Sequence, residues 1–194
     1  MFFYIFFIYL HFPSYTSEGR RIVIKFLSKY IDAKDKPYIL IVIVLGCLNH
    51  FLYDISGKLA GVAIFCPVNE STWEHLKLLF FPFLFVSVFQ YFKFHFHTIR
   101  FFYYRFIAAL CGILSIIVLF YTYTGVIGQH FLFVDLLIFI FSVFLSFSIC
   151  HYLQQRELTL PSQTIVFSLW ILVSICFFAF TCFPPDIPLF FPTL

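Results

Sequence analysis

The chain has 194 residues, 62% of them apolar and 11% charged, with 33 Phe and a net charge of +3. A soluble domain carries about 45–50% apolar and about 25% charged residues, so this chain could not cover its own surface with polar groups and is expected to be solvated by lipid. The small basic excess, with no basic patch interleaved with exposed aromatics, argues against nucleic acid as a partner.

The elements follow in chain order. Residues 1–36 read as an N-terminal extension. Met1–Phe12 is apolar, but Pro13 stops it before it could cross a bilayer. It has no basic leader and no small-residue cleavage site, so a signal peptide is not expected. It reads as an interfacial or re-entrant segment, or as a further span if residues 1–15 insert. Arg21, Lys25 and Lys29 then recur every four residues, with Val23, Phe26, Leu27, Tyr30 and Ile31 opposite. That pattern predicts a basic amphipathic helix on the membrane surface.

Residues 37–194 read as an all-α transmembrane domain. A hydrocarbon core of about 30 Å needs about 20 helical residues. Five runs qualify: 38–55, 73–92, 106–124, 130–150 and 164–183. Gly57, Pro67, Lys93, Gly125 with Gly128, Pro161 and Pro184-Pro185 bound them. Pro82 should kink the second span or free a carbonyl in it. Ala108, Gly112 and Ser115 in the third span, and Ser142 and Ser146 in the fourth, offer small surfaces for close helix packing. Ten Lys and Arg fall before the first span or in the second and fourth connections, against Lys58 and Lys77 on the other side. The positive-inside rule then puts the N-terminus in the cytoplasm and the C-terminus outside.

Polar residues gather at the predicted outer end. The segment Pro67-Val-Asn-Glu-Ser-Thr-Trp-Glu-His-Leu-Lys77 contains a capping box, Ser71 with Glu74. Capping does not require Asn69, Glu70, His75 and Lys77 as well. Glu70, Glu74, His75 and Asp135 are the candidate catalytic groups, and Asn69, Trp73 and Lys77 the candidate binding groups. Glu74 and His75 are adjacent and should point apart. His50 and Asp54 lie four apart on one face of the first span. With His75 they are candidate ligands for a divalent metal, the cofactor such a cluster would take. Asp135 reads as a carboxylate inside a span, which calls for a partner or a wet cavity. His130, five residues before it, should face elsewhere. The inner halves of the spans read as almost wholly apolar. Of the six cysteines, none is spaced as a metal finger; Cys66 and Cys182 are the two that could bridge.

The signature at Pro67–Lys77 resembles a family of small, uncharacterised bacterial membrane proteins marked by P-V-N-E-S-x-W-E-H-x-K. The likeness extends to Asn49-His-Phe-Leu-Tyr-Asp54 and to Pro184-Pro-Asp-Ile-Pro-Leu-Phe190, and so from Tyr38 to the end. Asp186 departs from it, standing where the family pattern has His. The resemblance implies a multi-pass protein of a bacterial cytoplasmic membrane and no particular reaction. The residues themselves support three functions: a membrane-embedded, metal-dependent enzyme on a lipid-type substrate, a non-catalytic assembly partner, or a small ion-coupled transporter. The apolar inner halves and the lack of an inverted repeat weigh against the last.

Overall fold

The computed structural model describes residues 29–156 and 158–192. The expected apolar segment Met1–Phe12, the extra span at 1–15 and most of the basic amphipathic helix lie outside the described residues. Within them the chain is helical, with no strand. The helices are α1 (Lys36–Ile55), the single turn α2 (Ala60–Ala63), α3 (Thr72–Phe94), α4 (Thr98–Ile127), α5 (Leu132–Gln154) and α6 (Gln163–Cys182). A 3-10 turn, Pro188–Phe190, follows. Five of these helices, all but α2, are long and apolar enough to cross a membrane.

Helix α3 is the centre of the bundle and touches α1, α4, α5 and α6. It is therefore buried on several sides, with Leu76, Leu79, Phe80 and Phe83 fully enclosed. The outer helices keep one apolar face outward: Leu48, Phe51 and Ile55 on α1, and Ile171, Leu172 and Ile175 on α6, are exposed. Exposed apolar side chains of this size and number are what a lipid solvent stabilises.

Close packing falls where small residues allow it. Ser115 Oγ donates to Ser142 Oγ at 2.7 Å and joins α4 to α5. Gly112 lies against Ser146, so closely that a Cβ at that position would overlap the hydroxyl. Pro82 leaves α3 unbroken, but its missing N–H removes the helical partner of the Leu78 carbonyl. Helix α1 comes closest there: a Cβ on Gly46 would lie 2.7 Å from that oxygen and would also meet the Phe139 ring of α5. Gly46 thus marks the crossing of α1, α3 and α5.

Helix α4 begins well before the expected Phe106. At thirty residues it is about 45 Å long at 1.5 Å per residue. Arg100 and Arg105 interrupt the apolar run and so read as connection residues, yet both are helical. Arg100 is exposed at the helix end, whereas Arg105 is 1% exposed. Arg105 Nη2 pairs with Asp35 Oδ1, to which Gln90 Nε2 also donates at 2.8 Å. The guanidinium is enclosed by the Phe83, Phe101 and Phe147 rings, 4.8–5.2 Å from their centroids. This buried polar cluster corrects the expectation of an apolar inner half. The charges can sit there because they neutralise one another and the aromatic faces attract the cation.

Candidate metal centre

The polar groups of interest come from the C-terminal end of α1, the N-terminal end of α3 and the loop between them. Ser71 caps α3 by accepting from the Glu74 N–H at 3.3 Å. The return half of the expected capping box is not made. Glu74 Oε2 instead accepts from the Val68 N–H at 3.0 Å, and Asn69 Oδ1 takes the Ser71 N–H at 2.9 Å.

This exchange frees Glu74 for a buried ion pair. Lys77 Nζ donates to Glu74 Oε2 at 2.8 Å, to the Ala63 carbonyl at 2.9 Å and to the Cys66 carbonyl at 3.4 Å. Thr181 Oγ1 of α6 donates to Glu74 Oε1 at 2.6 Å. Both charged side chains are enclosed, at 0% and 2% exposure. Asn49 adds two ties: its Nδ2 donates to the Phe65 carbonyl, and its Oδ1 accepts from Cys66 Sγ, each at 2.8 Å. The loop that ends in Glu70 is thereby fastened to α1, α3 and α6.

One turn beyond Gly46 on α1, and three residues before Leu78 on α3, two imidazoles meet. His50 Nε2 and His75 Nε2 are 3.2 Å apart. Glu70 Oε2 lies 3.3 Å from His75 Nε2 and 3.6 Å from His50 Nε2. His75 Nδ1 donates to the Ser71 carbonyl at 2.8 Å, which fixes the tautomer and leaves a lone pair on Nε2. A lone pair facing a carboxylate is repulsive unless a cation or a proton lies between them. Two ligands about 2.0–2.1 Å from a tetrahedral zinc ion stand about 3.3 Å from each other. The 3.2 and 3.3 Å separations match that edge length, and the 3.6 Å separation is a few tenths of an ångström longer. A metal-bound imidazole whose other nitrogen donates to a backbone carbonyl is the usual supporting arrangement. The imidazoles are about 30% exposed and Glu70 is 70% exposed, so the trio has an open side.

The geometry sorts the other candidates. Asp54, expected beside His50, is exposed and takes no part in the trio; Glu70 occupies that place. The i, i+4 spacing put Asp54 on the correct helix face, but one turn further along the axis than the imidazole contact. Glu74 points away from His75 into the buried pair. Trp73, a candidate binding group in the sequence, packs among the Phe177, Phe180 and Phe190 rings at 4.8–5.3 Å. Asn69 and Lys77 hold the loop. Asp135 does not converge with the imidazoles: Tyr123 donates to its Oδ1, and His130 Nδ1 lies 3.2 Å from its Oδ2. His130 reaches it because Phe131 is extended and α5 starts at Leu132, so helical rotation does not separate the two. Asp135 accordingly stands in the first turn of α5, a favourable position for a carboxylate. Asp186 is exposed. Cys66 and Cys182 are free thiols. Burial pushes the Cys66 thiol up, and the Lys77 ammonium opposes that shift.

A family model described as a family of unknown function, DUF6512, matches residues 27–194. The chain belongs to that family. No curated protein and no solved structure matches it. The DUF6512 match spans every residue described above, so the imidazole trio and its loop lie inside the family domain.

Proposed function

We propose that this DUF6512 protein is a membrane-embedded metalloprotein that holds one divalent cation of the zinc class through His50 Nε2, His75 Nε2 and Glu70. The observation that carries this reading is the convergence of the three ligand atoms within 3.2–3.6 Å, with His75 already in the ligating tautomer. Two His and one Glu with an open side is a catalytic rather than a closed structural set. Bound there, the metal would supply a Lewis acid and an activated water. The site opens at a bundle end beside exposed apolar surface, which favours an ester or phosphoester of a lipid-type substrate.

The protein's own residues supply orientation. The Ser71 carbonyl sets the His75 ring, and the Glu74–Lys77 pair and Asn49 set the loop that presents Glu70. The test is the metal content of protein purified in mild detergent without chelator, followed by titration with Zn2+. The expected result is one metal per chain, lost in His75→Ala and in His50→Ala, and weakened at least tenfold in Glu70→Gln. Uptake should fall as the pH is lowered, because protons compete for the ligand lone pairs. Equal zinc affinity in wild type and His75→Ala would refute the reading.

A further inference from the structure

At the end of the bundle opposite the imidazole trio, two ammonium groups share one aromatic ledge. Lys34 Nζ lies 5.4 Å from the Phe94 ring centroid and 5.2 Å from that of Phe96. Lys93 Nζ lies 5.5 Å from the Phe94 centroid and 5.8 Å from those of Tyr38 and Phe89. Phe94 and Phe96 are themselves in contact at 5.5 Å, and Phe96 stacks on Phe101 in the first turns of α4. Both charges therefore border the same Phe94 ring, held in place by rings rather than by carboxylates. Among the described residues neither ammonium is within ion-pair distance of an acid. The nearby Asp32 carboxylate is engaged by the Lys34 backbone N–H at 2.7 Å.

Two ammonium groups about one ring, neither paired with a carboxylate, form a positive patch that attracts an anion. The wider rim has the same sign. Lys29, Lys36, Arg100 and Arg156 belong to this end, and Asp35, the other acid there among the described residues, is buried against Arg105. Directly beyond the ledge, toward the middle of the bundle, Leu40 and Ile41 on α1 and Phe89 and Phe92 on α3 are exposed. A ligand that fits must be anionic at one end and apolar over the next helical turns.

We propose that this ledge is a binding site for the phosphate headgroup of an anionic phospholipid, with its acyl chains along the exposed α1 and α3 side chains. The pairing of two ring-held ammonium groups with exposed apolar side chains on α1 and α3 is what separates this partner from a soluble anion. An ammonium that is already ordered loses little further freedom on binding. The site lies at the opposite end from the proposed metal centre and does not depend on it.

The test uses the full chain in a mild detergent and native mass spectrometry, with dioleoylphosphatidylglycerol and dioleoylphosphatidylcholine as probes. Wild type is expected to bind the anionic lipid more tightly. The double variant Lys34→Gln, Lys93→Gln should bind it about 30-fold more weakly, from the usual contribution of each Lys at a membrane surface. It should then match phosphatidylcholine, while Lys58→Gln, at the other end, should change nothing. Thermal unfolding in the same detergent, read in parallel, reports folding of each variant. Equal affinity for the two lipids in wild type, an unchanged double variant, or full displacement by millimolar inorganic phosphate would overturn the proposal.

Discussion

Lys77→Met is the perturbation that separates a structural Glu74 from an available one. Lys77 Nζ serves three acceptors and Glu74 accepts from three donors, all within 3.4 Å. Removing the ammonium leaves the carboxylate with Val68 N–H and Thr181 Oγ1, still enclosed, and strips the Ala63 and Cys66 carbonyls of a donor. Breaking a buried pair from one side costs about 3–5 kcal/mol. Replacing both partners by apolar groups of similar size removes the uncompensated charge. Glu74→Leu with Lys77→Met should therefore be less damaging than the single changes imply, with a coupling of about 2 kcal/mol. Reversible unfolding in mixed micelles measures each variant. The single change should also weaken zinc binding, because the loop that carries Glu70 loses its fastening. A cost for Lys77→Met below about 1 kcal/mol, or strict additivity in the double variant, would refute the reasoning.

Further outcomes follow from the same packing. Gly112→Ala should destabilise by about 1–3 kcal/mol, since a Cβ would overlap Ser146 Oγ and force α4 from α5, whereas Gly125→Ala, with open space around it, should be neutral or slightly stabilising in the same micellar assay. Trp73→Ala should cost about 3–5 kcal/mol by emptying the contact with Phe177, Phe180 and Phe190. Asp35→Asn should be more harmful than an Asp35→Leu, Arg105→Met double change, because it leaves the Arg105 charge enclosed and unpaired. Under maleimide labelling read by mass spectrometry, buried Cys66 should react more slowly than exposed Cys182 at neutral pH. Its rate should rise only under alkaline conditions, and Lys77→Met should push that rise to still higher pH, because the opposing ammonium is gone.

Five helices were legible in the sequence because a run of apolar residues of membrane-spanning length has few other solutions. Their ends were less so. Hydropathy stops at a charge, but a helix does not: α4 runs through Arg100 and Arg105 to Thr98 because its backbone bonds are indifferent to what the side chains carry. The resemblance to an uncharacterised family of small membrane proteins was drawn at Pro67–Lys77, and those residues lie inside the stretch that the DUF6512 model matches. In the candidate site, His50 and His75 stood out as residues. Glu70 stood out too, but as a catalytic group rather than as their partner, because it arrives from a loop whose path no periodicity describes. Asp54 shares a helix face with His50, and face alone does not give height along the axis. The Asp135–His130 contact was hidden for the opposite reason: helical rotation was applied to a residue that precedes the helix.

The two buried ion pairs give the bundle a design that the apolar spans alone would not have. Helices in lipid gain little from the hydrophobic effect against one another, so register must come from close packing and from polar groups. Near one end, Glu74–Lys77 ties α3 to α6 and to the loop before it. Near the other, Asp35, Gln90 and Arg105 tie α1, α3 and α4. Between them, Gly46 and Gly112 bring backbones together with no side chain in the way. Joined by the Gln90–Asp35 hydrogen bond at one end, tied through Asn49 and the loop at the other, and in close contact at Gly46 between them, α1 and α3 cannot slide past each other without breaking these contacts. That rigidity is the condition a three-ligand metal centre needs, since His50 and His75 belong to those two helices and their nitrogen atoms must stay within a few tenths of an ångström of the ligand spacing. The pair at the far end therefore bears on the site indirectly. Loss of the Asp35–Arg105 pair should loosen α1 against α3 and lower zinc affinity, although no atom of that pair lies at the imidazole end.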